Sequence, residues 1–440
     1  MRGVAGTGGT AADAVEAVFR IESARIIAVV ARIVRDVGIA EELAQDALVA
    51  ALEQWPTTGV PDRPGAWLTA TAKHRAIDLV RRRETYARKL AEVGRTLEDV
   101  PPPEPADADD IDDDLLRLIF TACHPVLSAE ARVALTLRLL GGLTTGEIAR
   151  ACLVPEPTVA QRIVRAKRAL ARAGVPFEVP AGPELPARLD SVLEVVYLVF
   201  NEGYAATSGD DWLRPALCED ALRLGRVLAG LMPKEPEVQG LVALLEIQAS
   251  RTAARTGPDG APVLLAEQNR TRWNRMLIGR GFVALERAGA AASAAGTAPG
   301  PYALQAAIAA CHAQAVRYQE TDWAMIAALY GQLAAVAPSP VVELNRAVAV
   351  SMAEGPAAWL PIVDALGAEP ALRGYHLLPS VRGDLLVRLG RPAEARAEFE
   401  RAASLTRNER ERALLLARAE ACGEGAGPGP DPDAEGAPEA

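Results

Sequence analysis

The side chains best suited to chemistry lie on one predicted helix that begins near Pro157. Helical neighbours recur every three or four residues, so one face collects the apolar residues Val159, Ile163, Ala166 and Leu170. The opposite face collects Thr158, Gln161, Arg162, Arg165 and Arg168. Amide and guanidinium groups in this arrangement can read base edges, and the remaining basic groups can hold phosphates. The chemistry that these residues offer is recognition rather than catalysis.

A short preceding helix, Thr145 to Ala151, and a tight turn at residues 153–155 position this face. Together with the helix from Pro157 to Ala173 they predict a helix-turn-helix. Proline suits the first turn of the second helix, where no backbone donor is lost. The alternative interpretation is a solvated basic face on an ordinary helical hairpin.

A second basic helix is predicted from Ala66 to Arg83. Its apolar face contains Trp67, Leu68, Ala72 and Ile77, and its basic side chains are Lys73, Arg75, Arg81, Arg82 and Arg83. Such a helix is typical of phosphate binding. Trp67 could stack on an unpaired base, although a tryptophan at helical apolar spacing is more often part of a core.

Catalysis and metal binding find little support in the sequence. One set of polar residues surrounds a Gly-containing loop: Asn201, Glu202, Asp210, Asp211 and Glu219. Neither a nucleophile with a nearby base nor a metal-ligand spacing accompanies them. The five cysteines and four histidines are scattered. We therefore expect no enzymatic activity, no catalytic or metal-binding residues and no cofactor.

Composition favours a helical protein with several domains. Of the 440 residues 50% are hydrophobic, 24% are charged and only 4% are aromatic, which favours helix over sheet. No apolar run is long enough for a membrane span, and the first 20 residues lack the apolar core of a signal peptide. We expect a cytoplasmic protein without a membrane partner.

The net charge of −10 conceals a pattern along the chain. Residues 73–95 contain eight basic and three acidic side chains, and residues 157–172 contain five basic and no acidic ones. Between them, residues 98–114 contain nine acidic and no basic side chains. The stretch PPPEPADADD within this acidic segment predicts a linker between two basic helical domains.

Three motifs in this order carry a family resemblance: QDALVAALEQW, AWLTATAKHRAIDLVRRR and the helix-turn-helix ending VAQRIVRAKRAL. Residues 13 to 174 resemble regions 2 and 4 of the extracytoplasmic-function (ECF) group of sigma-70 family sigma factors. The resemblance implies an initiation factor that binds core RNA polymerase and promoter DNA. It also implies that the acidic linker either serves as a solvated tether or mimics nucleic acid in a polymerase channel.

The resemblance assigns expected roles to individual residues. Four would lie on the helix that docks to the polymerase clamp: Leu43, Gln45, Asp46 and Leu48. Six would lie on the helix that approaches the −10 element: Lys73, His74, Arg75, Asp78, Arg81 and Arg82. Many relatives have Asn in place of His74. Five would read the −35 element in the major groove: Glu156, Thr158, Gln161, Arg162 and Arg165.

The residues after about 180 form a long C-terminal extension. The blocks beginning at Val196 and Ala261 resemble an ECF subgroup with a tetratricopeptide-like extension. Near the end, Gly383, Gly390, Ala395, Phe399 and Ala402 fall at the small and aromatic positions of such a repeat, and a weaker copy runs from Val341 to Leu366. An array of helical hairpins is therefore favoured over a single globule.

A role in binding is expected for this extension, either within the chain or with a protein partner. Its candidate interface residues are Arg251, Arg270, Arg272, Trp273 and Arg275, although a structural Trp and solvated Arg would explain the same residues. The extension would either hold regions 2 and 4 inactive or add contacts that activity requires.

The sequence thus predicts an all-α protein in seven segments. They are a disordered N-terminus (1–12), sigma region 2 (13–90), the acidic linker (91–111), sigma region 4 (112–176), a helical extension (184–288), tetratricopeptide-like repeats (300–421) and a disordered tail (422–440). The predicted function is promoter-specific transcription initiation with core polymerase, modulated by the extension. The alternatives are a stand-alone helix-turn-helix regulator that acts without polymerase and an interaction scaffold built on the repeats.

Overall fold

The computed structural model describes residues 11–92, 108–152, 154–206, 208–209, 212–258, 260–357 and 359–423. Most of the predicted disordered tail, N-terminal segment and linker lies outside these residues, and residues 11–12 and 422–423 of the predicted disordered ends are helical. The chain divides into two compact units, Met1–Val199 and Phe200–Ala440. The all-α prediction is confirmed, because the described residues form eighteen α-helices and two strands of two residues each.

Unit 1 contains seven helices and most of an eighth. Their bounds are α1 Ala11–Val34, α2 Val37–Thr58, α3 Pro64–Glu92, α4 Ala108–Ala122, α5 Ala129–Leu139, α6 Thr145–Cys152, α7 Glu156–Arg172 and α8 Glu184–Tyr204. The first three pack on one another, and α4 packs against both α1 and α5. Helix α4 begins four residues before the predicted resumption of helix at Asp112.

Local chemistry explains where several of these helices begin. The Asp36 carboxylate accepts hydrogen bonds from the backbone N–H groups of Gly38 at 2.7 Å and Ile39 at 3.0 Å, which caps α2. Thr144 and Glu147 form a reciprocal capping box at the start of α6, with the Thr144 N–H donating to Glu147 Oε2 at 2.7 Å. These caps fix the first residues of α2, which carries candidate functional residues, and of α6, which precedes the recognition helix.

The buried face of α2 differs from the predicted one. Helical spacing in the sequence predicts an apolar face of Leu43, Ala47, Leu48 and Leu52. Ala47 is buried as predicted, but the three leucines are not, and the buried stripe consists mainly of alanines: Ala40, Ala44, Ala47, Ala50 and Ala51. Small side chains allow α2 to lie close to its neighbours α1 and α3. As a result, Leu52 is 42% exposed and Val49 is 51% exposed.

The first part of helix α8 packs against region 4. Ser191 Oγ donates to the Cys123 carbonyl at 2.6 Å, Arg188 Nη2 donates to the Phe120 carbonyl at 3.0 Å, and Arg132 Nη1 lies 2.9 Å from Glu194 Oε2. The segment predicted to open the extension at 184 therefore packs within unit 1, because these polar groups find their partners there.

Unit 2 contains the end of α8 and ten further helices. Their bounds are α9 Pro215–Leu231, α10 Pro236–Ala249, α11 Arg275–Ala295, α12 Pro301–Gln314, α13 Trp323–Val336, α14 Pro340–Glu354, α15 Leu360–Leu366, α16 Leu377–Arg388, α17 Pro392–Leu405 and α18 Glu409–Gly423. Strands β1 (Ser208–Gly209) and β2 (Arg407–Asn408) pair in parallel. Consecutive helices from α9 to α18 pack on one another, as in an array of hairpins. The Gly/Ala-rich residues 289–300 contain the end of α11, at Ala295, and the link to α12.

Two predicted repeat positions make a close helix contact in unit 2. A Cβ atom added at Gly383 in α16 would lie 2.6 Å from Cε1 of Phe399 in α17, and Phe399 is almost fully buried. Gly390, just after α16, has φ of +69°, a left-handed conformation that glycine adopts without strain. The contact requires glycine at 383, and the turn favours glycine at 390.

We expect the substitution Gly383→Ala to destabilise unit 2 by about 1–3 kcal/mol, because the added methyl group overpacks the contact with Phe399. The matched control is Gly289→Ala in α11, where an added Cβ would meet open space. That change should stabilise the helix by up to about 1 kcal/mol. Urea unfolding followed by circular dichroism measures both, and a G383A protein as stable as the unmodified chain would contradict the packing argument.

Candidate nucleic-acid and polymerase interfaces

Helix α7 presents the face that the sequence predicted. Its buried residues are Val159, Ile163, Ala166 and Leu170, which pack the helix against α5 and α6. The predicted reading residues Glu156, Thr158, Gln161 and Arg165 are exposed, and Arg162 is half-buried. The helix begins at Glu156, so Pro157 lies in its first turn. An exposed row of polar groups at the start of such a helix has the form that enters a major groove.

Helix α3 presents a second exposed basic surface. His74, Asp78, Arg81 and Arg82 are exposed, whereas Lys73 and Arg75 are half-buried. Arg75 Nη1 lies 3.7 Å from Asp46 Oδ2, which draws this side chain towards α2.

An aromatic residue that the sequence analysis missed belongs to this surface. Tyr86 is exposed, and it lines an open depression together with Asp78, Arg81, Arg82 and Thr85. Its spacing of four residues from Arg82 was the available signal, because residues three or four apart share a helix face. Trp67, in contrast, is half-buried and meets Trp55 edge-on at 5.5 Å between ring centroids. Its surroundings are those of a core residue.

The predicted polymerase-docking residues lie on α2. Asp46 is exposed, and Leu43, Gln45 and Leu48 are half-buried. They form one surface with the exposed apolar side chain of Val49. Exposed apolar residues beside a carboxylate have the composition of a protein-binding surface.

A buried carboxylate on the same helix joins regions 2 and 4. Glu41 is 5% exposed, and its Oε1 accepts hydrogen bonds from Arg138 Nε at 2.6 Å and from Gln45 Nε2 at 2.9 Å. Its Oε2 forms an ion pair with Lys167, which lies on the recognition helix α7. The sequence analysis missed this set, although a glutamate within an alanine stripe was a signal of a buried charge with partners.

A second buried carboxylate strengthens the same junction. Asp114, at the start of region 4, is fully buried, and Arg117 Nη1 donates to its Oδ1 at 2.6 Å. Arg32 Nε of α1 lies 3.1 Å from the other oxygen, Oδ2. A cleft of about 670 Å³ lies beside these ion pairs and is lined by Arg32, Arg117 and Lys167 among others. Regions 2 and 4 are thus joined by three ion pairs, Arg138 and Lys167 with Glu41 and Arg32 with Asp114, while Arg117 pairs with Asp114 within α4.

The interface residues predicted in unit 2 separate into two groups. Arg272 and Arg275 are exposed, but Trp273 and Arg270 are buried and Arg251 is half-buried. Arg270 Nη1 donates to the carbonyl oxygens of His312 at 2.5 Å and Ala315 at 2.7 Å. The expectation that Arg270 and Trp273 form a surface is therefore wrong, because both are part of the packed interior.

The polar loop near residue 202 is described only in part. Glu202 forms an ion pair with Arg214, while Asp210 and Asp211 lie outside the described residues. Among the residues with described positions, no group of three or more His, Cys, Asp or Glu side chains is placed to hold a metal ion. Burial raises the pKa of the Cys123 thiol to about 11 and that of Cys218 to about 12, so neither ionises near neutral pH. In the described part of the chain no helix is long and apolar enough to cross a membrane.

Comparisons with known families agree with this geometry. Residues 18–86 match the family described as Sigma-70 region 2, and residues 117–170 match the family described as Sigma-70, region 4. Residues 188–289 match a family of unknown function, DUF6596. The fold and its two exposed helices therefore define a sigma-70 type transcription factor.

Similar proteins place the chain more narrowly. The ECF RNA polymerase sigma factor SigK of Mycobacterium ulcerans (strain Agy99) is 30% identical over 150 residues, which are 33% of this chain and 78% of that protein. SigL of Mycobacterium tuberculosis (strain ATCC 25618 / H37Rv) is 32% identical over 140 residues, 32% of this chain and 76% of that protein. An uncharacterized protein of Rhizobium meliloti (strain 1021) is 45% identical over 382 residues, 86% of this chain and 88% of that protein. No solved structure matches the chain.

The chain belongs to the ECF RNA polymerase sigma factors. It is an RNA polymerase sigma factor, and the stand-alone regulator is not favoured, since region 2 accompanies the helix-turn-helix. The family implies core RNA polymerase and promoter DNA as partners, and sigma factor families are not enzymes.

Proposed function

We propose that α7 reads the −35 element of the promoter through Glu156, Thr158, Gln161, Arg162 and Arg165. The observation that carries this proposal is their common exposed face on a helix whose other side is buried. Arginine pairs with guanine in the major groove through two hydrogen bonds, and glutamine pairs with adenine in the same way. Arg168 and the helix-terminal Arg172 are exposed beyond this face and suit phosphate contacts.

The −10 element is the proposed target of α3, through Lys73, His74, Arg75, Asp78, Arg81 and Arg82. Support comes from the exposure of His74, Asp78, Arg81 and Arg82. Tyr86 extends this surface with a ring on which an unpaired base could stack. A surface that combines basic groups with an aromatic ring suits a separated strand better than an intact duplex.

Core polymerase is the proposed partner of the α2 surface formed by Leu43, Gln45, Asp46 and Leu48. The exposed side chains of Val49 and Leu52 support this assignment, because water-exposed apolar groups gain free energy when a partner covers them. The half-buried Leu43 and Leu48 would add to the covered area.

The substitution Arg165→Ala should reduce run-off transcription with core polymerase roughly 10-fold or more, because a bidentate base contact contributes about 1–3 kcal/mol. The matched control Arg172→Ala removes an exposed arginine from the end of the same helix and should change transcription less than about threefold, since one phosphate contact is one of many. Equal losses in both variants would contradict base reading by Arg165. Tight promoter binding by the unmodified chain without polymerase would support the stand-alone regulator instead.

The junction between regions 2 and 4 bears on how these surfaces are used. The −10 and −35 elements lie about 25 base pairs apart, or about 85 Å along a duplex that rises about 3.4 Å per base pair. Glu41 on α2 contacts Lys167 on α7 directly, so the two domains pack side by side here, whereas the two elements are well separated along the duplex. We infer that the structure is a closed form, which must open before the promoter is engaged.

The substitution Glu41→Gln should favour opening, because it removes the charge that neutralises Arg138 and Lys167 but keeps the side-chain shape. We expect a longer distance between fluorescent labels on regions 2 and 4, and transcription raised several-fold when core polymerase is limiting. Glu42→Gln, at an exposed position of the same helix, is the matched control and should change neither. A folded E41Q protein with an unchanged label distance would contradict the closed form.

The extension is proposed to modulate activity, either by stabilising an inactive arrangement or by adding contacts that activity requires. Truncation after Val199 tests it, because this cut follows the unit boundary and keeps the part of α8 that packs on region 4. Higher transcription by residues 1–199 would show inhibition, and lost transcription would show a requirement. We expect a change of at least about tenfold in one direction, equivalent to about 1.4 kcal/mol. Unchanged transcription would contradict both forms of the proposal.

A further inference from the structure

Three guanidinium groups gather in the irregular segment between α10 and α11 of unit 2. Arg255 is only 8% exposed, Arg270 is similarly buried, and Arg251 lies close to both. Burial lowers the pKa of Arg251 below its ordinary value, Tyr204 opposes this shift, and the charge of Arg255 adds to it. Positive charges therefore stand close together in a poorly solvated region.

Among the residues that the structure describes, no carboxylate forms an ion pair with Arg251 or Arg255, and the nearby Glu320, which opposes the lowered pKa of Arg270, is itself paired with Arg317. Other arginines of unit 2 show the contrast: Arg226 and Arg280 place their Nε atoms 2.8 Å and 3.0 Å from Oε1 of the buried Glu246. A buried charge without a partner is costly, and proteins rarely keep one unless it serves a ligand or a reaction. The cluster therefore carries excess positive charge, which a bound anion would neutralise.

The hydrogen bonds of the three arginines distinguish their roles. Arg270 is committed to the interior, since it donates to backbone carbonyls of the α12 region. Arg251 reaches only neutral acceptors, Oε1 of Gln268 and Oε1 of Gln248, each at 3.3 Å. The guanidinium of Arg255 makes no hydrogen bond to the described residues, and its buried Nε has no partner.

Aromatic rings hold Arg255 in place without using its donors. Its guanidinium carbon lies 3.5 Å from the centroid of the Tyr204 ring and 5.4 Å from that of Trp212. Stacking on a ring leaves the N–H groups in the guanidinium plane free to donate. The Tyr204 hydroxyl is also buried without a hydrogen-bond partner. Unused donors therefore occur on two residues that touch each other.

We propose that Arg255, Arg251 and Tyr204 form a binding site for a small phosphate-bearing ligand. The planar fork of arginine matches phosphate oxygens through two parallel hydrogen bonds, and a tyrosine hydroxyl can donate a further one. A phosphate monoester carries close to two negative charges at neutral pH, which suits a cluster of three cations better than a single carboxylate does. The deep burial of Arg255 selects a small molecule over a macromolecule.

The test is calorimetric titration of the full chain with inorganic phosphate and, separately, with phenyl phosphate, against chloride at matched ionic strength. We expect saturable binding of at least one of the two, and the comparison shows whether free phosphate suffices or an organic monoester is required. Arg255→Gln should weaken binding roughly 10-fold or more. Arg272→Gln, an exposed arginine of the same segment, should leave the affinity unchanged.

Two milder substitutions keep the test decisive if Arg255→Gln fails to fold. Arg255→Lys keeps the charge but loses the fork, and Tyr204→Phe removes only the hydroxyl, so each should weaken binding several-fold in a folded chain. Absence of saturable binding with both probes would overturn the proposal. A phosphate affinity in the R255K and Y204F proteins equal to that of the unmodified chain would also overturn the proposal. Phosphate would then bind elsewhere, for example at the basic helices α3 and α7.

Discussion

The arrangement of unit 1 depends on one buried carboxylate. Glu41 accepts a hydrogen bond from Arg138 and pairs with Lys167, so a side chain of region 2 neutralises two cations of region 4. Buried ion pairs contribute little net stability, since desolvation offsets most of the attraction, but breaking one side of such a pair is costly. The contact therefore selects one packing of the two domains more strongly than it stabilises either domain. When the carboxylate and its basic partners become solvated together, the regained hydration offsets most of the lost attraction. The two domains can therefore separate at a modest cost in free energy.

That junction links the two functional surfaces of the protein. Gln45, a proposed polymerase contact, donates to Glu41, and Lys167 belongs to the proposed DNA-reading helix. A partner that covers α2 would compete for the groups around this carboxylate, and α7 would be released as a result. In the proposed mechanism, docking to polymerase and separation of α7 from region 2 would then be coupled through one side chain.

The sequence predicted well those features that depend on local periodicity. Buried Val159, Ile163, Ala166 and Leu170 and the exposed opposite face of α7 followed from helical spacing alone. The buried face of α2 did not, because close approach to α1 favoured small alanines over the larger leucines. The partners of Glu41 and of Arg255 were beyond prediction, since they lie far away in the chain or are aromatic rings. Helical spacing in the sequence identifies the apolar and polar faces of a helix, whereas contacts between distant parts of the chain decide which charged side chains are buried.

The burial of Glu41 also has a consequence for ionic strength. Mobile ions screen solvent-exposed charges strongly and buried pairs much less, so added salt leaves the junction between regions 2 and 4 almost unaffected. The phosphate contacts proposed for α3 and α7 release counterions and weaken steeply as salt rises. A rise in salt would thus shift the population of this factor from promoters towards the proposed closed form. On the proposed contacts, the burial of one carboxylate would make promoter engagement sensitive to ionic strength.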